Sequence, residues 1–233
     1  MKMMKNKGII VIVLLLTLGI FSLRAQNTDI RVLSPFNKVI ITGNMNVELI
    51  KGNKEEVKIV SNYINPKDIV TELSNNTLKI KMMSNLFNKS DIDVFITYKN
   101  LEGITANASA NIVIKDTIIT NNFVAKATSA AQIELITNIE SIEFNVYQGA
   151  QIIVSGNVDK QESYVNTGGI LSATNLQCNK VFIKLNTGGK AEVVAKEEIE
   201  ATINTGADLS YFGKPEKETI TNKLGGTISK WDE

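Results

Sequence analysis

Apolar and polar residues alternate with a period of two along most of this chain. The stretches VIITGNMNVELI, EEVKIV, TLKIKM, DIDVFITY, IEFNVY and AEVVA place apolar side chains at every second position. That spacing gathers them on one face of an extended backbone and marks half-buried strands. β-Branched residues and asparagine are abundant, and prolines number only 3. No long Ser/Pro linker or charge block interrupts the pattern. It predicts an all-β protein with one structural domain over residues 26–233.

A longer period lies over the alternation. Asn-Thr-Gly occurs at residues 166–168, 186–188 and 204–206, each time followed by a small residue and a fresh apolar alternation. With Asn107, Thr128, Tyr147, Asn166, Asn186, Asn204 and Lys223 as anchors, the intervals are 21, 19, 19, 20, 18 and 19 residues. Two and three positions past each anchor, every side chain is Ser, Ala or Gly. Five positions past it stand Ile112, Ile133, Ile152, Leu171, Ala191, Leu209 and Ile228. Three positions before it stand Ile104, Ala125, Phe144, Ser163, Ile183 and Ala201. Each repeat therefore reads as strand, tight corner, strand.

A unit of about 19 residues cannot bury its own apolar face, so neighbouring units must stack. Short strands, glycine corners and no helix predict a single-stranded parallel β-helix, or β-solenoid, with regular coils over residues 101–229. Equivalent residues should lie about 4.8 Å apart, so seven coils span on the order of 30 Å. Asn-Thr-Gly then marks a stacked corner. The backbone there is expected to take positive φ with little room for a Cβ. The asparagine is expected to tolerate that conformation and to hydrogen-bond along a ladder of its own kind. Gly168, Gly188 and Gly206 should be close neighbours. Residues 26–100 are expected to form an N-terminal β region of hairpins and irregular coils, with NYINPKDIV as a crossover. Part of it should cap the solenoid, because an open end is an exposed sheet edge. At the other end Lys230 replaces an inward apolar residue, and residues 230–233 form a polar tail.

Lys2, Lys5 and Lys7 precede an uncharged run from Gly8 to Leu23, followed by Arg24-Ala25-Gln26. A basic start, an apolar stretch and a small residue at the exit predict a secretory signal peptide over residues 1–25, cleaved after Ala25. The run of 16 residues falls short of the roughly 20 that a membrane-spanning helix needs, so no membrane span is expected after cleavage. A lipoprotein signal needs a cysteine at the cut, and the single cysteine is Cys178. Removing this segment takes away four of the 25 basic side chains and none of the 24 acidic ones. The remaining balance, 21 against 24, gives no field suited to nucleic acid or an anionic membrane surface. One cysteine forms no internal disulfide, and Cys178 reads as a small buried apolar residue.

The chain has no histidine, which excludes Ser-His-Asp and Cys-His catalysis and most zinc sites. Glu134, Glu192 and Asp208 are the outward carboxylates considered for glycoside chemistry. Glu134 falls three coils from Glu192, about 14 Å away, beyond the roughly 5–10 Å that such chemistry uses. Lys190 shares a column with Asp208 and predicts a surface ion pair. An aspartate at that place in one coil alone makes no repeating calcium cage. Gly188-Gly189-Lys190 lacks the Ser/Thr and the helix of a phosphate loop. Asn111, Gln132 and Gln151 are expected to form an amide ladder on the solvent face. Tyr147 and Tyr164 are the aromatics placed near corners where a sugar could stack. Asn75-Asn76-Thr77 and Asn88-Lys89-Ser90 fit the N-glycosylation pattern. No catalytic, cofactor-binding or metal-ligating residue is assigned, and no cofactor is expected.

The segment FNKVIITGNMNVELIKG, the succession of small-residue corners, YFGKPE at 211–216 and the closing Gly-Gly-x-Ile turn together resemble a known family. It is the putative auto-transporter adhesin, head GIN domain family of exported Bacteroidetes proteins, and the similarity covers roughly residues 33–229. Corners in that family more often read Ser-Gly-Ser-Gly; here they read Asn-Ala-Ser-Ala, Thr-Ser-Ala-Ala and Asn-Thr-Gly-Gly. The resemblance implies an exported β-helical domain and carries no catalytic residues. Two functional readings follow. The favoured one is an exported, non-enzymatic cell-envelope protein, an adhesin or scaffold presenting a rigid β-helix surface in the periplasm, on the outer surface or in the medium. Its partner would be a cell-surface glycan or an envelope protein, not nucleic acid. The alternative is a carbohydrate-active β-helix enzyme of the polysaccharide lyase or hydrolase type.

Overall fold

The computed structural model describes residues 27–83 and 91–231. The predicted signal segment, the sequon at Asn88 and the last two residues lie outside that range. The described residues form strands and one 3-10 turn, Pro66–Asp68. The strands of the N-terminal region are β1 (Asn27–Val32), β2 (Lys38–Thr42), β3 (Asn46–Lys51), β4 (Glu56–Ser61), β5 (Ile69–Ser74), β6 (Thr77–Met82) and β7 (Ile92–Tyr98). Then come β8 (Gly103–Asn107), β9 (Asn111–Ile114) and β10 (Asn122–Ala127). Three strands of 16 residues follow: β11 (Gln132–Tyr147), β12 (Gln151–Asn166) and β13 (Ile170–Leu185). The chain ends with β14 (Lys190–Val194), β15 (Glu198–Ile203), β16 (Asp208–Phe212), β17 (Lys217–Asn222) and β18 (Thr227–Trp231).

These strands make a β-solenoid of about 7 turns. Each long strand bends from one wall of the solenoid to the other. The first half of β11 pairs in parallel with β9, and its second half pairs in parallel with β10. Like residues stack in columns. On one wall Val47, Ile112, Ile133, Ile152, Leu171, Ala191, Leu209 and Ile228 are successive neighbours. On the other wall the column runs Val39, Ile104, Ala125, Phe144, Ser163, Ile183, Ala201 and Ile220. Both columns contain the residues that the repeat places five after and three before its anchors. Their side chains are almost entirely buried, apart from Ile220 and Ile228 in the last coil. Each large apolar side chain that these columns remove from water contributes about 1.5–3 kcal/mol.

Corners recur at one azimuth, as the period requires. Both central residues have positive φ: Thr167 (50°) and Gly168 (69°), Thr187 (47°) and Gly188 (68°), Thr205 (50°) and Gly206 (65°). The residue closing the turn donates to the anchor carbonyl, as in Gly169 N to Asn166 O at 3.0 Å and Gly189 N to Asn186 O at 3.0 Å. This is the type I′ arrangement. The second central amide instead bonds to the next coil: Gly168 N to Thr187 O and Gly188 N to Thr205 O, each 3.1 Å. The glycines thus stack as expected.

Two details differ from the sequence reading. The left-handed residues are Thr and Gly, not the asparagine that precedes them. The limit on size also falls one residue later than expected. A Cβ on Gly168, Gly188 or Gly206 would meet nothing within 4 Å, whereas one on Gly169 would lie 2.4 Å from Val146 O. The first small residue therefore answers to φ and the second to space. Asparagines bond along the ladder only in part. Asn204 Nδ2 donates to Asn186 Oδ1 at 2.8 Å, but Asn166 Oδ1 accepts from its own neighbour Thr167 N at 2.7 Å.

The N-terminal region contributes coils to the solenoid out of chain order. β2 and β3 form a coil wedged between β8/β9 on one side and β6/β7 on the other, all in parallel register. Beyond it, β5 folds back on β6 through the Asn75-Asn76 turn, and β4 and β1 add antiparallel to β7 and β4. Arg31 of β1 fastens this end. Its guanidinium donates to Ile69 O (2.7 Å), Pro66 O (2.8 Å), Asp29 Oδ2 (2.9 Å) and the Thr71 hydroxyl. At the far end Glu218 and Lys230 take inward positions, below Ile199 and Tyr211, and pair with each other. Tyr211 OH donates to the same carboxylate at 3.0 Å.

In the coil of β12 the second bend is stricter than the first, although Thr137 and Leu176 occupy the same column in the coils on either side. Gly156 has φ 112°, and a Cβ there would stand 2.0 Å from Thr137 O. Gly156→Val is expected to cost more than about 4 kcal/mol, and Gly188→Val only about 2 kcal/mol, because the latter has space and only the backbone penalty. Urea unfolding of both variants checks this; equal losses would contradict the corner geometry.

Candidate binding face

Outward residues form columns as regular as the inward ones. On the wall made by β10, the second halves of β11–β13 and β15, one outward column reads Lys126, Asn145, Tyr164, Lys184, Thr202. The column beside it reads Val124, Glu143, Glu162, Phe182, Glu200. Tyr164 and Phe182 are thereby set diagonally on successive coils, each half-buried against the wall. Lys184 Nζ lies 5.7 Å from the Tyr164 ring centroid, and Lys160 Nζ lies 5.2 Å from that of Phe182. Such contacts hold ammonium groups over aromatic faces by the ring quadrupole, at about 0.5–1 kcal/mol each when exposed. Lys160 also pairs with Glu162. Between these residues and Glu200 lies an open depression of about 210 Å³.

A polar chain continues this patch toward the corner. Tyr147 OH donates to Asn145 Oδ1 at 2.8 Å, and Asn145 Nδ2 donates to Glu143 Oε1 at 2.6 Å. Burial first, then the Glu143 carboxylate and Tyr164, push the Tyr147 hydroxyl above its ordinary pKa. The hydroxyl therefore stays a neutral donor through the physiological range. Tyr147 and Tyr164, singled out in the sequence, do come together here. Phe182, Glu143, Glu162 and Glu200 were missed. All four stand four residues before an anchor, so tabulating that offset across repeats would have revealed their column.

The other candidates take plainer places. Lys190 Nζ lies 3.6 Å from Asp208 Oδ2 with both groups well exposed, a contact worth at most about 1 kcal/mol. Glu134 and Glu192 are separated by Ile153 and Ser172 in one column, so they share no site. Gly188-Gly189-Lys190 is a corner running into β14. Gln132 does stack between Asn111 and Gln151. The side-chain bonds of this column run the other way, however, from Asn111 to Asn46 Oδ1 (3.4 Å) and from Asn46 to Asp93 Oδ1 (3.2 Å). Among the described residues no group of three or more His, Cys, Asp or Glu side chains is placed to hold a metal ion.

Chemically, this wall offers ring faces, ammonium groups and carboxylates to a ligand. Glu143 and Glu162 sit one coil apart, close enough for a carboxylate pair, but each is already engaged by a donor. An acid catalyst is usually set in an enclosed apolar pocket that keeps it protonated, and the depression is open to solvent. Rings, ammonium groups and carboxylates on a fixed lattice suit a polar, extended ligand that also offers flat apolar patches.

A parallel β-solenoid with such a lattice on one wall belongs to the class of stacked-repeat scaffolds. The match to the family described as putative auto-transporter adhesin, head GIN domain, runs over residues 35–215, and the chain belongs to that family. The chain is similar in fold to a putative adhesin from Bacteroides fragilis, with TM-score 0.74, 19% identity, and coverage of 89% of this chain and 98% of that one. It is also similar to a putative adhesin from Parabacteroides merdae (TM-score 0.69, 14% identity, 88% and 96% covered). A putative lipid binding protein from Parabacteroides distasonis has the same fold (TM-score 0.69, 18% identity, 88% and 96% covered). No curated protein matches the sequence. No helix among the described residues is long and apolar enough to cross a membrane.

Cys178 is fully buried, and burial pushes its thiol up to about 12. The folded protein is expected to be inert to a thiol-specific disulfide reagent at pH 8 and to release one equivalent on unfolding in guanidinium. Rapid labelling of the folded state would contradict this placement.

Proposed function

We propose that this protein is an exported, non-enzymatic adhesin or scaffold of the cell envelope. Its β-solenoid wall around Tyr164 and Phe182 meets a cell-surface glycan or an envelope protein. The supporting observation is the lattice itself: two rings, three carboxylates and two ammonium groups spread over successive coils, with an open depression in place of an enclosed pocket. Family membership and the names of the structural relatives point the same way. The basic, apolar and small-residue pattern of residues 1–25 supports export. Recognition of this kind is distributed, so each contact adds little alone and the sum decides affinity.

Binding to cells or to an immobilised glycan panel tests the reading. Tyr164→Ala and Phe182→Ala are each expected to weaken binding less than about tenfold, and the pair with Lys184→Ala to abolish it. Glu192→Ala and Asp208→Ala should leave it unchanged. Binding that survives the triple change, or that depends on Glu192 or Asp208, would sink the assignment.

The carbohydrate-active alternative is favoured by one observation, the adjacent Glu143 and Glu162 in a single column. Incubation with a polysaccharide panel, with and without Ca²⁺, separates the two. Turnover lost in Glu143→Gln or Glu162→Gln would favour the enzyme.

A further inference from the structure

We propose that the C-terminal coil is a dimerisation surface: a second copy of this chain docks end to end, with β17 of each copy antiparallel to β18 of the other, about a two-fold axis through Leu224. The inference goes beyond the adhesin reading and does not depend on it.

The two solenoid ends differ. The N-terminal one is folded over by antiparallel strands and clamped by Arg31. At the C-terminal one, β17 pairs only with β15, and β18 only with β16, among the described residues. On its far side each therefore has no neighbouring strand among the described residues, and that edge is a template for another strand. Which groups face that edge follows from the bonds already made. Lys217 N and Lys223 N donate back into the solenoid, to Glu197 O (3.1 Å) and Ile203 O (2.9 Å), and Thr227 N donates to Ala207 O (2.9 Å). Backbone groups in a parallel ladder alternate between the two sides of the strand. Glu218 and Ile220 on β17, and Ile228 and Lys230 on β18, must therefore direct theirs outward.

An antiparallel partner satisfies such groups when outward-bonding residues stand directly opposite one another. A two-fold axis through the corner pairs residues equally distant from Leu224. It sets Glu218 against Lys230 and Ile220 against Ile228, all four of them outward-bonding. Between these pairs it sets Thr219 against Ser229 and Thr221 against Thr227, with Lys217 over Trp231 at the end. Within β17 and β18 no like charges meet. Glu218 already pairs with Lys230 of its own copy, and in the dimer each carboxylate would lie between two ammonium groups. Ile220 and Ile228, half-buried in one copy, would be covered, as would Leu224, which is 65% exposed, and Trp231, which is 56% exposed. A shift of two residues keeps the bonding parity but sets Glu218 against Ile228 in one direction and Ile220 against Lys230 in the other. The symmetric register alone matches bonds, charge and apolar contact together.

The interface is isologous and closes at two copies. Sedimentation velocity on the purified protein should show a monomer–dimer equilibrium. Glu218→Lys or Lys230→Glu should weaken association at least tenfold, and both reversals together should restore it. Thr219→Cys combined with Ser229→Cys should give a disulfide-linked dimer under mild oxidation, because such a pair places its Cα atoms about 4.5 Å apart. Neither cysteine alone should do so, since within one copy the two side chains leave opposite walls. A monomer at about 100 μM, assemblies that grow past two copies, or a double-cysteine variant that melts like the parent without cross-linking would overturn the proposal.

Discussion

Six successive corners, from Asn107–Ala110 to Asn204–Ala207, must turn within four residues and still hand backbone bonds to the neighbouring coils. The type I′ corner meets both demands. Two consecutive left-handed residues reverse the chain, and the second of them turns its amide along the solenoid axis to the next corner's carbonyl. A left-handed non-glycine residue costs roughly 1–2 kcal/mol, while a backbone bond contributes about 1 kcal/mol net. Strain and ladder therefore nearly cancel at each corner. What the corner secures is alignment, and alignment stacks Ile112 on Ile133 and Ile133 on Ile152 inside.

That near balance explains why the corner sequence drifts along the chain while its conformation does not. Ala108-Ser109 and Ser129-Ala130 adopt the same positive φ pair as Thr187-Gly188. The open space over the second residue admits a side chain, so glycine there is favourable and not obligatory. The closing position is less permissive where coils pack closely, as Gly169 shows against Val146 O. Interior substitutions follow the same logic. Gln161 and Ser163 occupy inward positions amid apolar columns, bonded to each other at 2.9 Å, and the ladder around them stays in register.

Much of this was legible in the chain because the repeat is local. Offsets from Asn107, Thr128 and Tyr147 fixed which residues share a column, since each coil stacks on the one written just before it. The N-terminal region broke that condition. β2 and β3 lie against β8 and β9, 65 residues later, and against β6 and β7 on their other side. No short-range period reports such an insertion, and its strands read only as alternating stretches. The wall proposed to bind was half visible: Tyr147 and Tyr164 stand out as aromatics. Phe182 and the glutamates were concealed among ordinary polar alternation, because an outward position constrains residue type far less than an inward one.

The same lattice governs what the outer wall can do. Outward side chains repeat about 4.8 Å apart along the axis, on a backbone bonded above and below. Their spacing is therefore set before any ligand arrives, which lowers the ordering cost of binding. Lys160 and Lys184 rest on the rings of Phe182 and Tyr164 and are restrained further. A ligand gains from this only if it also repeats or extends across several coils, since one coil offers no more than two or three contacts. Short, compact molecules would meet a flat and solvated surface. Long chains, whether of sugar or of polypeptide, would meet a ruler.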